Sequence, residues 1–162
     1  MPFAESFLKE FDPEMAATRR MLERIPSTAL DWRPHAKSRS LGELATHVAE
    51  IPRFGLRIQL DEFAVGSEKA PEMKSAADFI ARFDENVRAG REAIAGMSDA
   101  DLEREFTVTR QGQPFFTLKK RSLLRRVLLN HIIHHRGQLS VYLRIQGVPL
   151  PSVYGPTADE PM

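Results

Sequence analysis

The sequence predicts an all-α four-helix bundle with a short extended or hairpin segment before the last helix, formed by residues 1–162 as one domain. Three observations carry this expectation. Apolar residues recur at three- and four-residue spacing in four long stretches, which is the periodicity of amphipathic helices. Strand-like alternation is confined to one short region. At 162 residues, without an internal repeat or low-complexity stretch, the chain has the length of one domain; at about 150 residues such a domain buries roughly 68–70% of its unfolded surface.

In the first helix, expected over residues 3–25, Phe3, Phe7, Leu8, Phe11, Met15, Thr18, Met21, Leu22 and Ile25 form the buried stripe, and Pro26 ends it. Pro13 lies inside this pattern, where a proline removes one hydrogen bond and crowds the preceding turn, so a kink or a restart after Asp12 is expected there. Residues 27–39 lack a sustained period and read as a connection anchored by Trp32, with His35 in the exposed part of the loop. The second helix, over 40–60, opens on Ser40 and Glu43, the spacing of a capping box, and carries Leu41, Leu44, Val48 and Ile51 on one face. Pro52 kinks or ends it. A polar loop spans 64–74, and the third helix, over 75–97, is written by Phe79, Ile80, Phe83, Val87 and Ile94, with Gly90 weakening its middle. Residues 105–109 and 114–118 flank Arg-Gln-Gly-Gln as a short hairpin or extended loop. The last helix, over 122–146, closes on Gly147 before a proline-rich tail.

Composition removes several classes of function. With 23 basic and 22 acidic side chains the net charge is +1, so no global field draws the chain to nucleic acid or to an acidic membrane. The absence of cysteine excludes disulfides, thiolate metal sites and a cysteine nucleophile, leaving nitrogen and oxygen as the available metal ligands. No apolar run approaches the ~18 residues of a membrane span, and the N-terminus has no basic leader, so a cytoplasmic protein is expected.

Three of the five histidines, His131, His134 and His135, lie in Asn-His-Ile-Ile-His-His-Arg-Gly-Gln-Leu on the last helix. At ~100° per residue His131 and His135 stand about 40° apart on one face, while His134 lies about 60° to the other side of His131. The pair continues the apolar row of Leu124, Val127, Leu128 and Leu139, and His47 occupies an equivalent core-facing position between Leu44 and Ile51. Three converging imidazoles without partners would cost about 1–3 kcal/mol for each unsatisfied group, a cost that a divalent cation removes. Taken alone, the cluster is as readily structural as it is metal-binding.

The stretch from Leu30 to Arg53, followed far downstream by the segment from Leu128 to Pro156 with its His-x-x-x-His-Arg-Gly-Gln core, resembles the DinB (DinB/YfiT-like) family over the whole chain. That resemblance implies a four-helix bundle and a metal site on His47, His131 and His135, with zinc or nickel as the divalent ion and water at remaining positions. It also implies a homodimer, and for some members a low-molecular-weight thiol as cosubstrate. Three neutral ligands leave an open position, as in catalytic zinc sites, and there a thiol or water gives up its proton more readily. Two functional readings follow: a metal-dependent enzyme, either a thiol S-transferase or a related hydrolase or isomerase, and a non-enzymatic metal-binding or stress-associated bundle. A metal-free structural dimer stands third.

Other residues carry secondary readings. Glu43 and Glu50, one turn on either side of His47, read first as helix-surface charges and second as general bases. Gln138, three residues after His135, is placed to hydrogen-bond a ligand ring or bound water. Arg136 and Gly137 serve packing, Tyr142 is core or a pocket cap, and His134 is an outer or interface residue. The basic run Lys119, Lys120, Arg121, Arg125 and Arg126 reads first as a solvated face and second as a device attracting an anionic substrate.

Overall fold

Helix α1 covers Phe3–Leu22 and passes through Pro13 without interruption, because the proline sits on its exposed side. The lost hydrogen bond falls where water can replace it, so the helix neither stops nor restarts. The computed structural model of the protein describes residues 1–161. Helix α2, Leu41–Glu50, begins on a complete capping box: the Glu43 amide donates to Ser40 Oγ at 3.2 Å, and the Ser40 amide donates to Glu43 Oε2 at 2.7 Å.

Pro52 ends α2 ten residues earlier than the expected 40–60 helix. A 3-10 turn at Ile51–Arg53 and a single helical turn, α3 at Phe54–Arg57, replace the continuation. Helix α4, Ala76–Ala95, is capped by Ser75 and runs unbroken through Gly90. The glycine has a packing reason. A Cβ on Gly90 would stand 2.5 Å from the Pro52 carbonyl oxygen and 3.5 Å from Gly55 Cα, so the Pro52 turn and α4 touch backbone to backbone. Gly90→Ala is therefore expected to destabilise: overpacking against backbone costs about 1–3 kcal/mol, and the ~1 kcal/mol gain in helix propensity offsets it only partly. The midpoint of urea unfolding measures this, and an unchanged midpoint would mean that the contact is not tight.

The four long helices form a ring in which α1 packs on α4 and on the last helix, α7 (Asn130–Ile145), and α2 packs on the same two. Buried Phe7, Phe11, Leu44, Val48, Phe79, Phe83, Ile132 and Leu139 fill the centre. The segment leading into α7 corrects the expected 122–146 helix. It starts as α6, Lys120–Leu123, then takes a π-helical stretch at Leu124–Leu129 before α7 begins. Each i→i+5 turn advances the chain by one extra residue, so the buried face shifts. Leu129 and Ile132 enter the core, whereas Val127 is only partly buried.

The expectation of an all-α chain is also corrected. The protein is mostly helical (57%) but contains a three-stranded sheet, more than a hairpin. Strands β2 (Glu105–Arg110) and β3 (Gln113–Lys119) pair antiparallel about Gln111 and Gly112, both at positive φ, as a two-residue hairpin turn requires. β1 (Glu62–Ala64), of which only Ala64 falls in the expected 64–74 loop, pairs parallel to β2 across a long separation in sequence. A short helix, α5 at Asp99–Glu103, capped by Ser98, precedes β2.

Candidate metal centre

The α2–α7 contact brings His47, His131 and His135 together, with one ring nitrogen of each within 4.8 Å of the others, a group that could hold a metal ion. Ring centroids lie 4.9 Å apart for His47 and His131, 4.5 Å for His47 and His135 and 4.6 Å for His131 and His135. Helical geometry makes this possible from α7, and the α2 register supplies the third ring. His134 is exposed and outside the group, and His35 is an exposed loop residue whose Nδ1 accepts from the Lys37 amide at 3.1 Å.

Hydrogen bonds set the tautomers. His131 Nδ1 stands 3.2 Å from the Val127 carbonyl, which can only accept, so Nδ1 carries the proton and Nε2 is the basic nitrogen. His135 Nδ1 is 2.7 Å from Gln138 Oε1 and is fixed the same way. His47 Nε2 lies 3.1 Å from His131 Nε2, and with the latter unprotonated the His47 ring is the donor. The donor set suits a borderline divalent cation: two basic nitrogens are already presented, and the third ring needs only to move its proton to Nδ1. With cysteine absent and no acidic side chain among the grouped ligands, a hard, oxygen-seeking ion is the poorer match.

The rings are held neutral. Burial, then the positive charge of Arg39 and the neighbouring imidazoles, lowers His47 from 6.5 to about 3. Burial lowers His135 to about 4 against the opposing bond from Gln138. His131 is lowered by burial as well, partly opposed by its bond to Val127. All three depressed values sit below the ordinary value of an unfolded chain, so as pH falls the unfolded state takes up protons first. The contribution to stability is complete above ~6.5 and is lost as pH drops toward 4 and then 3. Urea midpoints of EDTA-treated protein are expected to fall steadily between pH 7 and pH 4.5, before most carboxylates titrate, and to fall less in His47→Ala. Equal slopes in the two proteins would contradict this origin.

Gln138 orients His135 and is expected to matter for affinity. Replacing it with leucine frees the tautomer and is expected to weaken metal binding by about tenfold, at the low end of the ~10–100-fold range for such partners because Gln138 is exposed. A chelator competition on the purified variant checks it. The candidate bases have other partners: Glu43 caps α2, and both oxygens of Glu50 accept from Arg82 on α4.

One member of the basic run departs from a solvated face. Lys120 is 1% exposed and its Nζ is 2.9 Å from Asp61, while Lys119 and Arg121 pair with Glu103 and Arg125 pairs with Glu10. Lys119, Arg121, Arg125 and Arg126 remain exposed, as a solvated face requires, whereas neutralising Lys120 is expected to perturb the fold, because its buried ammonium is paired with Asp61. Arg136 likewise does more than pack: it is 3% exposed and contacts Glu14, Thr18 and Tyr154. Among the described residues no helix is long and apolar enough to cross a membrane.

Two cavities meet at the histidines. One, of about 580 Å³, is walled by Arg39, Thr46, His47, Glu50, Arg53 and Lys69 and carries both signs of charge. The other, of about 270 Å³, lies under the sheet, with Phe54, Phe63, Val108, Phe116, Val127 and His131 in its wall. The sheet residues of the second wall escaped the reading of the sequence. The aromatic pair Phe115-Phe116 after a Gln-Gly turn was the available signal.

Fold and site together define a mostly helical protein with an interior three-histidine group able to hold a metal ion. The chain belongs to the DinB family, whose sequence profile matches residues 1–161. It is similar to the protein YrdA of Bacillus subtilis (strain 168), at 29% identity over 161 residues, covering 96% of this chain and 90% of the relative. Among solved structures, a DinB-like protein from Bacillus cereus ATCC 10987 matches with a TM-score of 0.71 at 25% identity, over 93% of this chain and 97% of that one. The DinB-like protein YjoA of Bacillus subtilis matches with a TM-score of 0.72 at 22% identity, over 91% and 97%. These likenesses show the shared fold.

Proposed function

We propose that this protein is a metal-dependent enzyme in which His47, His131 and His135 hold one zinc or nickel ion and a low-molecular-weight thiol is transferred to a small electrophile. The observation that carries the reading is the convergence of three neutral imidazoles where a charged cavity and an apolar one meet. A divalent cation held by His47, His131 and His135 would supply a Lewis acid, which makes a bound thiol or water more acidic. The protein's own residues do the rest. Val127 and Gln138 fix the ring tautomers, the Glu50–Arg82 pair braces the wall beside His47, and the polar cavity offers both charge signs to a zwitterionic thiol. The four long helices are read as the family's four-helix bundle, with the sheet as an added wall, and a homodimer as its assembly.

The test uses protein purified without an affinity tag or chelator. Elemental analysis is expected to find one zinc or nickel per chain, and metal-loaded protein is expected to conjugate small thiols to an electrophile such as monochlorobimane faster than EDTA-treated protein or His47→Ala. Bound metal without turnover across a panel of thiols would favour the non-enzymatic metal-binding reading. Absence of metal would leave a structural bundle.

A further inference from the structure

We infer that the cavity under the sheet is the acceptor subsite of the histidine centre, shaped for the flat apolar body of a small electrophile that carries one oxygen acceptor for Arg57. This rests on the metal-dependent reading above and adds the class of the second substrate.

The size comes first. At about 270 Å³ the cavity falls just under the ~300–1,000 Å³ of drug-sized sites, so its occupant is small. Most of its lining is apolar, and of the exceptions His47, Glu50 and Arg57 also line the charged cavity, while His131 belongs to the histidine group. A ligand seated there keeps its apolar part under the sheet and meets polar groups only where it approaches the histidines.

The local backbone is built for this wall. Successive side chains of a strand point to opposite faces. In β3, however, Phe116 pairs with Val108 and Pro114 with Thr109, which leaves Phe115 as an extra, bulged residue. A bulge re-aims one side chain, and here Phe115 and Phe116, ring centroids 5.4 Å apart, both line the same cavity. Phe115 is nevertheless 61% exposed. A large ring held at a cavity mouth by a bulge, and little buried by the protein itself, gains its apolar contact when a ligand enters.

Arg57 supplies the polar requirement. Its guanidinium carbon lies 4.2 Å from the centroid of Phe63, and Nη2 bonds Glu68 at 2.5 Å, but Nε is buried with no acceptor. A buried donor left unpaired is unfavourable, and a carbonyl or carboxylate oxygen on an occupant of the adjoining cavity would pair it once the guanidinium turns toward that cavity. Arg57, Glu50 and His47 line both cavities, so such an oxygen would sit where the two adjoin.

The probe for this is 6-acetyl-2-(dimethylamino)naphthalene, a planar ketone whose emission shifts to the blue in apolar surroundings, compared with its 6-ethyl analogue, which lacks the oxygen. Binding of both is followed by fluorescence with zinc-loaded and EDTA-treated protein, whose metal content is measured separately. The ketone is expected to bind with a blue shift. Phe115→Ala, which removes an exposed side chain, and Val65→Asp are each expected to weaken binding about tenfold, and Val141→Asp, exposed on α7 and outside the wall, is expected to leave it unchanged. Arg57→Met is expected to abolish the preference for the ketone over the ethyl analogue; circular dichroism checks that each variant is folded. In cobalt-loaded protein the probe's methyl resonances are expected to broaden beyond those with zinc. No blue shift in the parent, full affinity in both Phe115→Ala and Val65→Asp, a ketone preference that survives Arg57→Met, or equal line widths with cobalt and zinc bound would each overturn the inference. Protein that binds the probe as described but retains no metal would overturn the acceptor role through the metal reading, and would leave the cavity as an apolar ligand site.

Discussion

His47→Ala is expected to lower metal affinity by at least about 100-fold while leaving the helical content unchanged. Removal of a partner that only orients a ligand already costs about 10–100-fold, and His47 is the sole contribution of α2 to the three-histidine group. His131 and His135 remain one turn apart on α7, so a weak two-nitrogen site persists, and stoichiometry at high metal concentration need not fall with affinity. Competition against a chelator of known strength therefore measures the effect better than metal content alone. His131→Ala and His135→Ala are expected to behave alike, and His35→Ala to match the parent, because its ring lies exposed in the connecting loop. If His47→Ala keeps the parent's affinity, the assignment fails and the site must be rebuilt around His134 or a carboxylate such as Glu50.

Arg136→Ala is expected to cost about 3–5 kcal/mol of stability, the range for breaking a buried ion pair from one side. Its Nη2 lies 2.6 Å from both Glu14 Oε2 and the Tyr154 hydroxyl, and its Nη1 donates to the Glu14 carbonyl at 3.1 Å and to Thr18 Oγ1 at 3.2 Å. The Tyr154 hydroxyl in turn donates to the Glu14 carboxylate at 2.8 Å. One guanidinium thus ties α7 to α1 and to the segment after Gly147. Glu14 keeps 16% of its side chain exposed and can be partly rehydrated, which places the loss toward the lower end. Tyr154→Phe removes a single hydroxyl and is expected to cost about 1 kcal/mol. Urea unfolding measures both, and limited proteolysis is expected to cut the segment after Gly147 faster in Arg136→Ala. A loss below 1 kcal/mol in Arg136→Ala would show that the cluster is not an anchor.

His135→Ala and Arg136→Ala separate roles that adjoin in the sequence. His135 and Arg136 are neighbours in the chain but point to opposite requirements: one ring toward the centre shared with α2, one guanidinium toward α1. The larger metal-affinity defect is expected for His135→Ala, and the larger stability defect in EDTA-treated protein for Arg136→Ala. Arg136→Met, which keeps volume without charge, is expected to recover part of the stability lost in Arg136→Ala.

What the sequence determined by itself was whatever depends on contiguous residues. The four amphipathic stripes, the Ser40–Glu43 capping box, the end at Gly147 with φ of 71°, and the placing of His131 and His135 on one face all follow from local periodicity and end chemistry. The core-facing place of His47 between Leu44 and Ile51 was legible for the same reason. Only the tertiary structure decided the rest. β1 is three residues long and gains its partner from Thr107–Thr109, too short a run for alternation to show and too distant for any local rule. The π-helical stretch at Leu124–Leu129 breaks no sequence rule, yet it moves the buried face by a residue and turns the Val127 carbonyl to His131. Lys120 and Arg136 read as surface or packing residues because a cation's burial depends on an acid brought from elsewhere, Asp61 in one case and Glu14 in the other. Periodicity records which side of an element is covered. It does not record what the covering element carries, and that decides a buried charge, a bulged phenylalanine and the wall of a cavity.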